Sequence, residues 1–215
     1  MATTILTENN SLANIFISEL RDTEIQKDAM RFRRNTERLG EIMAYEISKT
    51  LHYGPVETET PLGVSKDMGL LDKVVLATVL RAGLPMHQGF LSYFDKAENA
   101  FVSAQRKMHK SGTFEIEMNK VTSPDLNDKV LILCDPMLAT GASMDLALKA
   151  LTEFGQPKEI HVCTLIASRA GLDHIQRLNP NAHIWIGDLD EELTAKSYIV
   201  PGLGDAGDLA FGPKI

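Results

Sequence analysis

Five small residues in a row, Ala139, Thr140, Gly141, Ala142 and Ser143, follow an acid, Asp135, and an apolar run over 130–134. Side chains of that size let several backbone N–H groups converge on an anion, and Thr140 and Ser143 add hydroxyl donors. An apolar run before the loop and a helical pattern after it make the context strand, loop, helix, so the N–H groups stand at the positive end of a helix dipole. The chemistry is capture of a small phosphate group without a lysine. Gly-x-x-x-x-Gly-Lys-Ser/Thr, the mark of a nucleoside triphosphatase, does not occur. Asp135 ends the strand at the carboxyl edge where open α/β sheets place ligands, and its carboxylate can accept sugar hydroxyls. An N-cap aspartate before an ordinary helix fits the same residues equally well.

A second segment, Tyr198-Ile199-Val200-Pro201-Gly202-Leu203-Gly204-Asp205-Ala206-Gly207-Asp208, is rich in residues without bulk. Its backbone can present N–H and C=O groups at close range to a flat polar ligand edge, where large side chains would hold the ligand away. Gly202, Gly204 and Gly207 also satisfy Gly-x-Gly-x-x-Gly. A dinucleotide fingerprint needs a strand before it, a helix opened by it and an acid about twenty residues on. The chain runs only to Ile215, so no such βαβ unit is expected.

The elements that must carry these loops are legible from periodicity. Continuous β-branched and apolar runs at 74–80, 130–134, 160–167 and 183–186 predict buried parallel strands. Helical patterns at 85–94, 143–154 and 170–178 alternate with them, which predicts a doubly wound α/β architecture. Ile25, Ala29, Phe32, Leu39, Met43 and Ile47 recur at three- and four-residue steps and predict a long amphipathic helix capped by Asp22 or Thr23. Tyr53-Gly54-Pro55 ends that region, and the exposed apolar remainder of the helix suits a dimer. Residues 105–121, with Lys107, His109, Lys110, Ser111 and Gly112, break the rhythm and predict a hairpin or flap. Residues 1–20 are expected to form a loosely ordered arm, and the acidic run 188–192 a solvated loop.

Composition narrows the function classes. A chain of 215 residues, 44% hydrophobic and 24% charged, has globular composition, and one domain over 1–215 is expected. The net charge of −7 opposes a broad nucleic-acid footprint, and Arg31, Arg33, Arg34 and Arg38 are interleaved with Glu24, Asp28, Glu37 and Glu41. No run approaches the length of a membrane span, and no basic leader precedes an apolar stretch in the first twenty residues. The two cysteines, Cys134 and Cys163, each lie in an apolar run, which fits a reducing, cytoplasmic setting. The six histidines show no paired metal spacing.

The segment Asp135-Pro136-Met137-Leu138-Ala139-Thr140-Gly141-Ala142-Ser143 resembles the phosphoribosyl-pyrophosphate signature of phosphoribosyltransferases, in the form carried by the uracil phosphoribosyltransferase family. The segment 198–208 resembles the uracil-recognition loop of that family, and the likeness extends over roughly 21–212. The resemblance implies a type I phosphoribosyltransferase fold, with a base-binding hood over 188–215, and a homodimer or higher homo-oligomer. It implies transfer of a phosphoribosyl group from 5-phosphoribosyl 1-pyrophosphate to uracil, giving UMP and pyrophosphate in pyrimidine salvage, with Mg2+ brought in on the pyrophosphate. Arg81, in Leu80-Arg81-Ala82-Gly83, matches the arginine of a family loop, and Arg106 aligns with a second phosphate-contacting arginine. Carried over residue by residue, the catalytic positions are Asp135, Arg81 and Arg106. Phosphoribosyl pyrophosphate contacts fall on these three, on 136–143 and on Asp205. Uracil contacts fall on Ile199, Gly204, Asp205 and Ala206. Cytosine, with a donor where uracil has an acceptor, should be rejected by such a loop.

The sequence departs from the family pattern at Gln105-Arg106-Lys107, where Tyr-Arg-acid is usual, at Ala142, where Gly is usual, at Leu84-Pro85, and at Leu209, where Arg or Lys is frequent. Two other function classes compete. A non-catalytic regulator could keep the fold and sense nucleotides, although it need not preserve an intact base loop. A hydrolase could use Asp135 as nucleophile, but Met137 stands where a second acid would be needed.

Overall fold

The computed structural model describes residues 2–108 and 114–214, with 105–108 and 114–118 described by backbone alone. The chain opens with a short strand, β1 (Thr3–Ile5), and helix α1 (Leu12–Arg21), then a 3-10 turn (Ile25–Lys27) and the long helix α2 (Ala29–Ser48). An antiparallel hairpin follows, β2 (Tyr53–Thr60) and β3 (Gly63–Leu70), before strand β4 (Val74–Leu80) and helix α3 (Leu84–Tyr93). Strands β5 (Glu98–Met108) and β6 (Phe114–Thr122) precede β7 (Val130–Cys134), the two-residue β8 (Met137–Leu138) and helix α4 (Ala142–Thr152). Strand β9 (Glu159–Ser168), helix α5 (Arg169–Leu178) and strand β10 (His183–Asp190) complete the main sheet. A small ladder of β11 (Glu192–Leu193) and β12 (Ile199–Val200) and the short helix α6 (Ala206–Phe211) form the hood.

The main sheet has strand order β1-β10-β9-β7-β4-β5-β6, with β8 beside β9. Every pairing in it is parallel except β5 with β6. Strand periodicity divides the central side chains between two cores. Leu76, Ile132, Cys134, Cys163 and Trp185 point to one face and pack with α1, α2, α3 and the hood. Val75, Ala77, Leu131, Leu133, Val162, Ile184 and Ile186 point to the other and pack with α4 and α5. The predicted α/β sheet with covered faces is therefore present, and β4 and β7 have the predicted bounds. No described helix is long and apolar enough to cross a membrane.

Several expectations are corrected. Residues 3–21 are not a loose arm: β1 pairs with β10, and α1 buries Ala13, Ile17 and Leu20 in the first core. Polar residues dominate the segment because only one stripe of a ten-residue helix is buried. The long helix starts later than Asp22 or Thr23, at Asp28, whose carboxylate accepts the N–H groups of Met30 and Arg31. It runs through Gly40 because α3 packs there at backbone distance: a Cβ at Gly40 would lie 2.4 Å from the Met86 carbonyl oxygen. The acidic run is not a solvated loop. Asp188 and Asp190 lie on β10, and both form ion pairs with Arg21. Hairpin β2–β3 was not foreseen, since its side chains are mostly exposed and carry no burial pattern. The predicted hairpin over 105–121 corresponds to β5 and β6, while residues 109–113 lie outside the described residues.

Candidate active site

The strands β4 and β7 end side by side, and the Thr78 hydroxyl donates to the Cys134 carbonyl at 3.3 Å across them. Asp135 follows directly. Its N–H donates to the Cys163 carbonyl at 3.1 Å, and its Oδ1 accepts the Met137 N–H at 3.4 Å. The Pro136 carbonyl accepts N–H groups from Leu165 and Ile166 at 3.1 and 3.0 Å, which fastens the start of the loop to β9. Pro136 and Leu138 are buried, so they support the loop from beneath. Met137, Ala139, Thr140, Ala142 and Ser143 are half-buried along it.

At the turn itself Gly141 caps α4 with φ +81°, a left-handed conformation that an L side chain resists. A Cβ there would also lie 2.8 Å from His174 Cδ2 and 3.1 Å from the Gly171 carbonyl oxygen. No side chain from Gly141 occupies the helix end, so the first N–H groups of α4 point into the loop with the dipole behind them. The Thr140 hydroxyl accepts from the Ala142 N–H at 3.4 Å. From behind, Ser168 Oγ donates to the Ala139 carbonyl at 2.5 Å and accepts the Gly171 N–H at 3.0 Å, so α5 is bolted to the loop. Sequence reasoning missed Ser168, although Ser-x-x-Gly before a helical pattern is a legible N-cap. A cavity of about 310 Å³ lined by Thr140, Ala170, Asp173, His174, Arg177 and Leu193 adjoins this loop.

Arg81 follows β4. Its Nη2 donates to Asp208 Oδ1 at 3.0 Å and to the Gly212 carbonyl at 3.4 Å, so it is a bridge from the strand ends to the hood. Asp208 was not singled out by sequence, because an acid in the first turn of a helix has an ordinary electrostatic explanation. The side chain of Arg106 lies outside the described residues; its backbone is in β5, paired with Ile116.

In the hood, Ile199 is buried, so only its backbone can face a ligand. Gly204 is exposed and adopts φ +98°. Asp205 caps α6, its Oδ1 accepting the Asp208 N–H at 3.0 Å, and Ala206 is buried. The hood and the phosphate loop share one apolar base: Ile199, Leu203 and Ala206 belong to the first core, against which Ala82, Met137 and Ala139 pack. Asp135 and Arg81 follow the carboxyl ends of β7 and β4, the 139–143 loop continues from Asp135, and Arg81 ties this edge to the hood through Asp208. Among the described residues, no group of three or more His, Cys, Asp and Glu side chains is gathered to hold a metal. Burial pushes the Cys134 thiol up to about 12, which removes it as a nucleophile beside Asp135.

Comparison with known proteins gives the family and the fold. The family model described as uracil phosphoribosyltransferase matches residues 7–213. A curated uracil phosphoribosyltransferase from Porphyromonas gingivalis is 56% identical over 207 residues, covering 96% of each chain. Among solved structures, the AQ2163 protein from Aquifex aeolicus superposes with a TM-score of 0.88 at 28% identity, covering 98% of both chains. A hypoxanthine phosphoribosyltransferase from Staphylococcus aureus superposes with a TM-score of 0.50 at 10% identity, over 75% of this chain and 76% of that one, a likeness of fold alone.

Proposed function

This chain belongs to the uracil phosphoribosyltransferase family, and from that premise we propose how its two backbone cradles divide the work of the reaction. The enzyme is a pentosyltransferase that joins uracil to the phosphoribosyl group of 5-phosphoribosyl 1-pyrophosphate, giving UMP and pyrophosphate. Uracil N1 bonds to the anomeric carbon, the bond from that carbon to the pyrophosphate oxygen breaks, and the N1 proton is released. The observation that carries the division of labour is the bridge from Arg81 to Asp208, which joins the strand ends beside the phosphate loop to the base loop.

In this reading the loop 139–143 holds the terminal phosphate through backbone N–H groups and the Thr140 and Ser143 hydroxyls. Asp135 accepts the ribose hydroxyls and sets negative charge beside a sugar that becomes cation-like in the transition state. Arg81 turns from Asp208 toward pyrophosphate as it leaves, and Arg106 assists from the β5–β6 hairpin. Among the described residues no carboxylate cage would hold Mg2+, so the ion would be held through the phosphate oxygens of the substrate and water, where it would supply charge to offset that of pyrophosphate. Uracil offers acceptor, donor, acceptor along one edge, which the backbone at Ile199, Gly204, Asp205 and Ala206 answers with donor, acceptor, donor. Asp205 also approaches the phosphoribosyl group. The exposed Met30 and Tyr45 on α2 support a homodimer through that helix. The two buried, free thiols support a cytoplasmic setting.

The test is incubation of the chain with phosphoribosyl pyrophosphate, Mg2+ and each free base in turn. UMP should form from uracil, with cytosine turned over slower by on the order of 10³-fold or more, because its amino group meets a backbone donor. Comparable turnover of the two bases would overturn the base-loop reading. Phosphate release without any base would favour hydrolysis instead.

A further inference from the structure

Arg21, the last residue of α1, makes a fork of hydrogen bonds to β10 and the hood. Its Nη1 donates to Asp190 Oδ2 at 2.9 Å and to the Gly202 carbonyl at 2.8 Å. Its Nη2 donates to Asp190 Oδ1 at 2.8 Å and to Asp188 Oδ2 at 2.7 Å. Asp190 Oδ2 in turn accepts the Gly202 N–H at 2.9 Å. Both backbone groups of one hood residue are therefore held by the two members of an ion pair. The pair is enclosed: Asp190 is 6% exposed and the Arg21 side chain 19%. Burial alone would lower the pKa of the guanidinium, and the bonds to Asp190 and Asp188 hold it above its ordinary value instead.

The residue they grip is a turning point. Gly202 is buried with φ +58°, and a Cβ on it would lie 2.3 Å from the Ile199 carbonyl oxygen. It sits between Ile199 and Gly204, both assigned to uracil. An ion pair taken out of water contributes little net stability compared with apolar packing of the same shape, so stability alone does not explain it. A bidentate fork does fix geometry, and a base read by backbone groups needs its donors aimed to within about half an ångström.

We propose that Arg21 and Asp190 are positioning residues for base recognition, holding Gly202 so that the 199–206 backbone is aimed at the pyrimidine edge. This rests on the base-loop reading above. Neither side chain bonds to the phosphate loop, so the effect falls on uracil and not on phosphoribosyl pyrophosphate.

The experiment is steady-state kinetics of Arg21→Lys and Asp190→Asn with each substrate varied, beside melting curves. Lys keeps the charge but lacks the fork that spans Asp190 and Gly202 together. Both variants should raise the KM for uracil at least about tenfold, the worth of one charge-assisted hydrogen bond, with the KM for phosphoribosyl pyrophosphate unchanged within about twofold. Asp188→Asn, which bonds to Arg21 but not to Gly202, should leave both KM values near those of the parent. If the parent makes UMP yet the variants shift both KM values alike, or only lower the melting temperature, this proposal fails while the base-loop reading stands. Failure of the parent to use uracil would instead remove the reading beneath it. Amide exchange of Gly202 in the parent gives a test that needs no variant: protection is expected, and exchange as fast as in an exposed loop would overturn the clamp.

Discussion

Replacing Gly141 by Ala adds one methyl group to the tightest turn of the phosphate loop. The cost has two parts. The first is conformational: at φ +81° an L residue loses about 1–2 kcal/mol relative to Gly. The second is steric. The new Cβ would stand 2.8 Å from His174 Cδ2 and 3.1 Å from the Gly171 carbonyl oxygen. The His174 ring is half-buried and can swing aside for about 0.5–1.5 kcal/mol of rotamer strain, while the carbonyl, on a helix bolted to the loop by Ser168, yields less easily. Together these reach about 2–3 kcal/mol, which for a chain of this size lowers the melting temperature by roughly 5–10 °C. The loop relaxes by displacing N–H groups, so the KM for phosphoribosyl pyrophosphate should rise about tenfold while that for uracil holds. Calorimetry and initial rates with each substrate varied read both effects. Adding His174→Ala to Gly141→Ala should return only the share of the His174 ring, about 0.5–1.5 kcal/mol, leaving the φ cost and the contact with the Gly171 carbonyl. A melting temperature within about 1 °C of the parent, with an unchanged KM for phosphoribosyl pyrophosphate, would refute the reasoning. Full recovery in the double variant would show that the left-handed turn carries no cost.

Two further outcomes follow from the same geometry. Asp135→Asn should lower kcat by on the order of 10²-fold, since it removes the charge facing a cation-like sugar, with the KM for uracil unchanged within about twofold; an unaltered kcat would take Asp135 out of the mechanism. Burial holds His161 neutral, with its pKa lowered from 6.5 to about 4. The unfolded chain therefore binds a proton between those values that the folded chain refuses, and stability falls as pH drops from 6.5 toward 4, by about 3 kcal/mol, and levels off below. Urea unfolding of the parent and of His161→Phe across pH 4–7 checks this: the variant should lose that share of the slope, and identical slopes would contradict it.

The parts legible in the sequence share a physical reason. Apolar runs such as 130–134 and small-residue loops such as 139–143 are local patterns, and a parallel sheet buried on both faces turns them directly into strands and turns. Residue identities around Asp135 and Gly204 carried the family likeness in the same way. What the chain could not disclose locally is what tertiary packing decides. The order within 3–21 depends on β10, which lies more than 160 residues away, and a half-polar helix shows its buried stripe only when there is a core to bury it in. Asp188 and Asp190 looked like a solvated acidic loop because charge reads as exposure until a cation is brought to it; Arg21, distant in sequence, supplies that cation. The resemblance marks Arg81 as an expected phosphate contact, but its bond to Asp208 exists only because the chain folds back over its own strand ends. Side-chain types set which groups can do the chemistry, and the long-range contacts of the folded chain set where those groups aim.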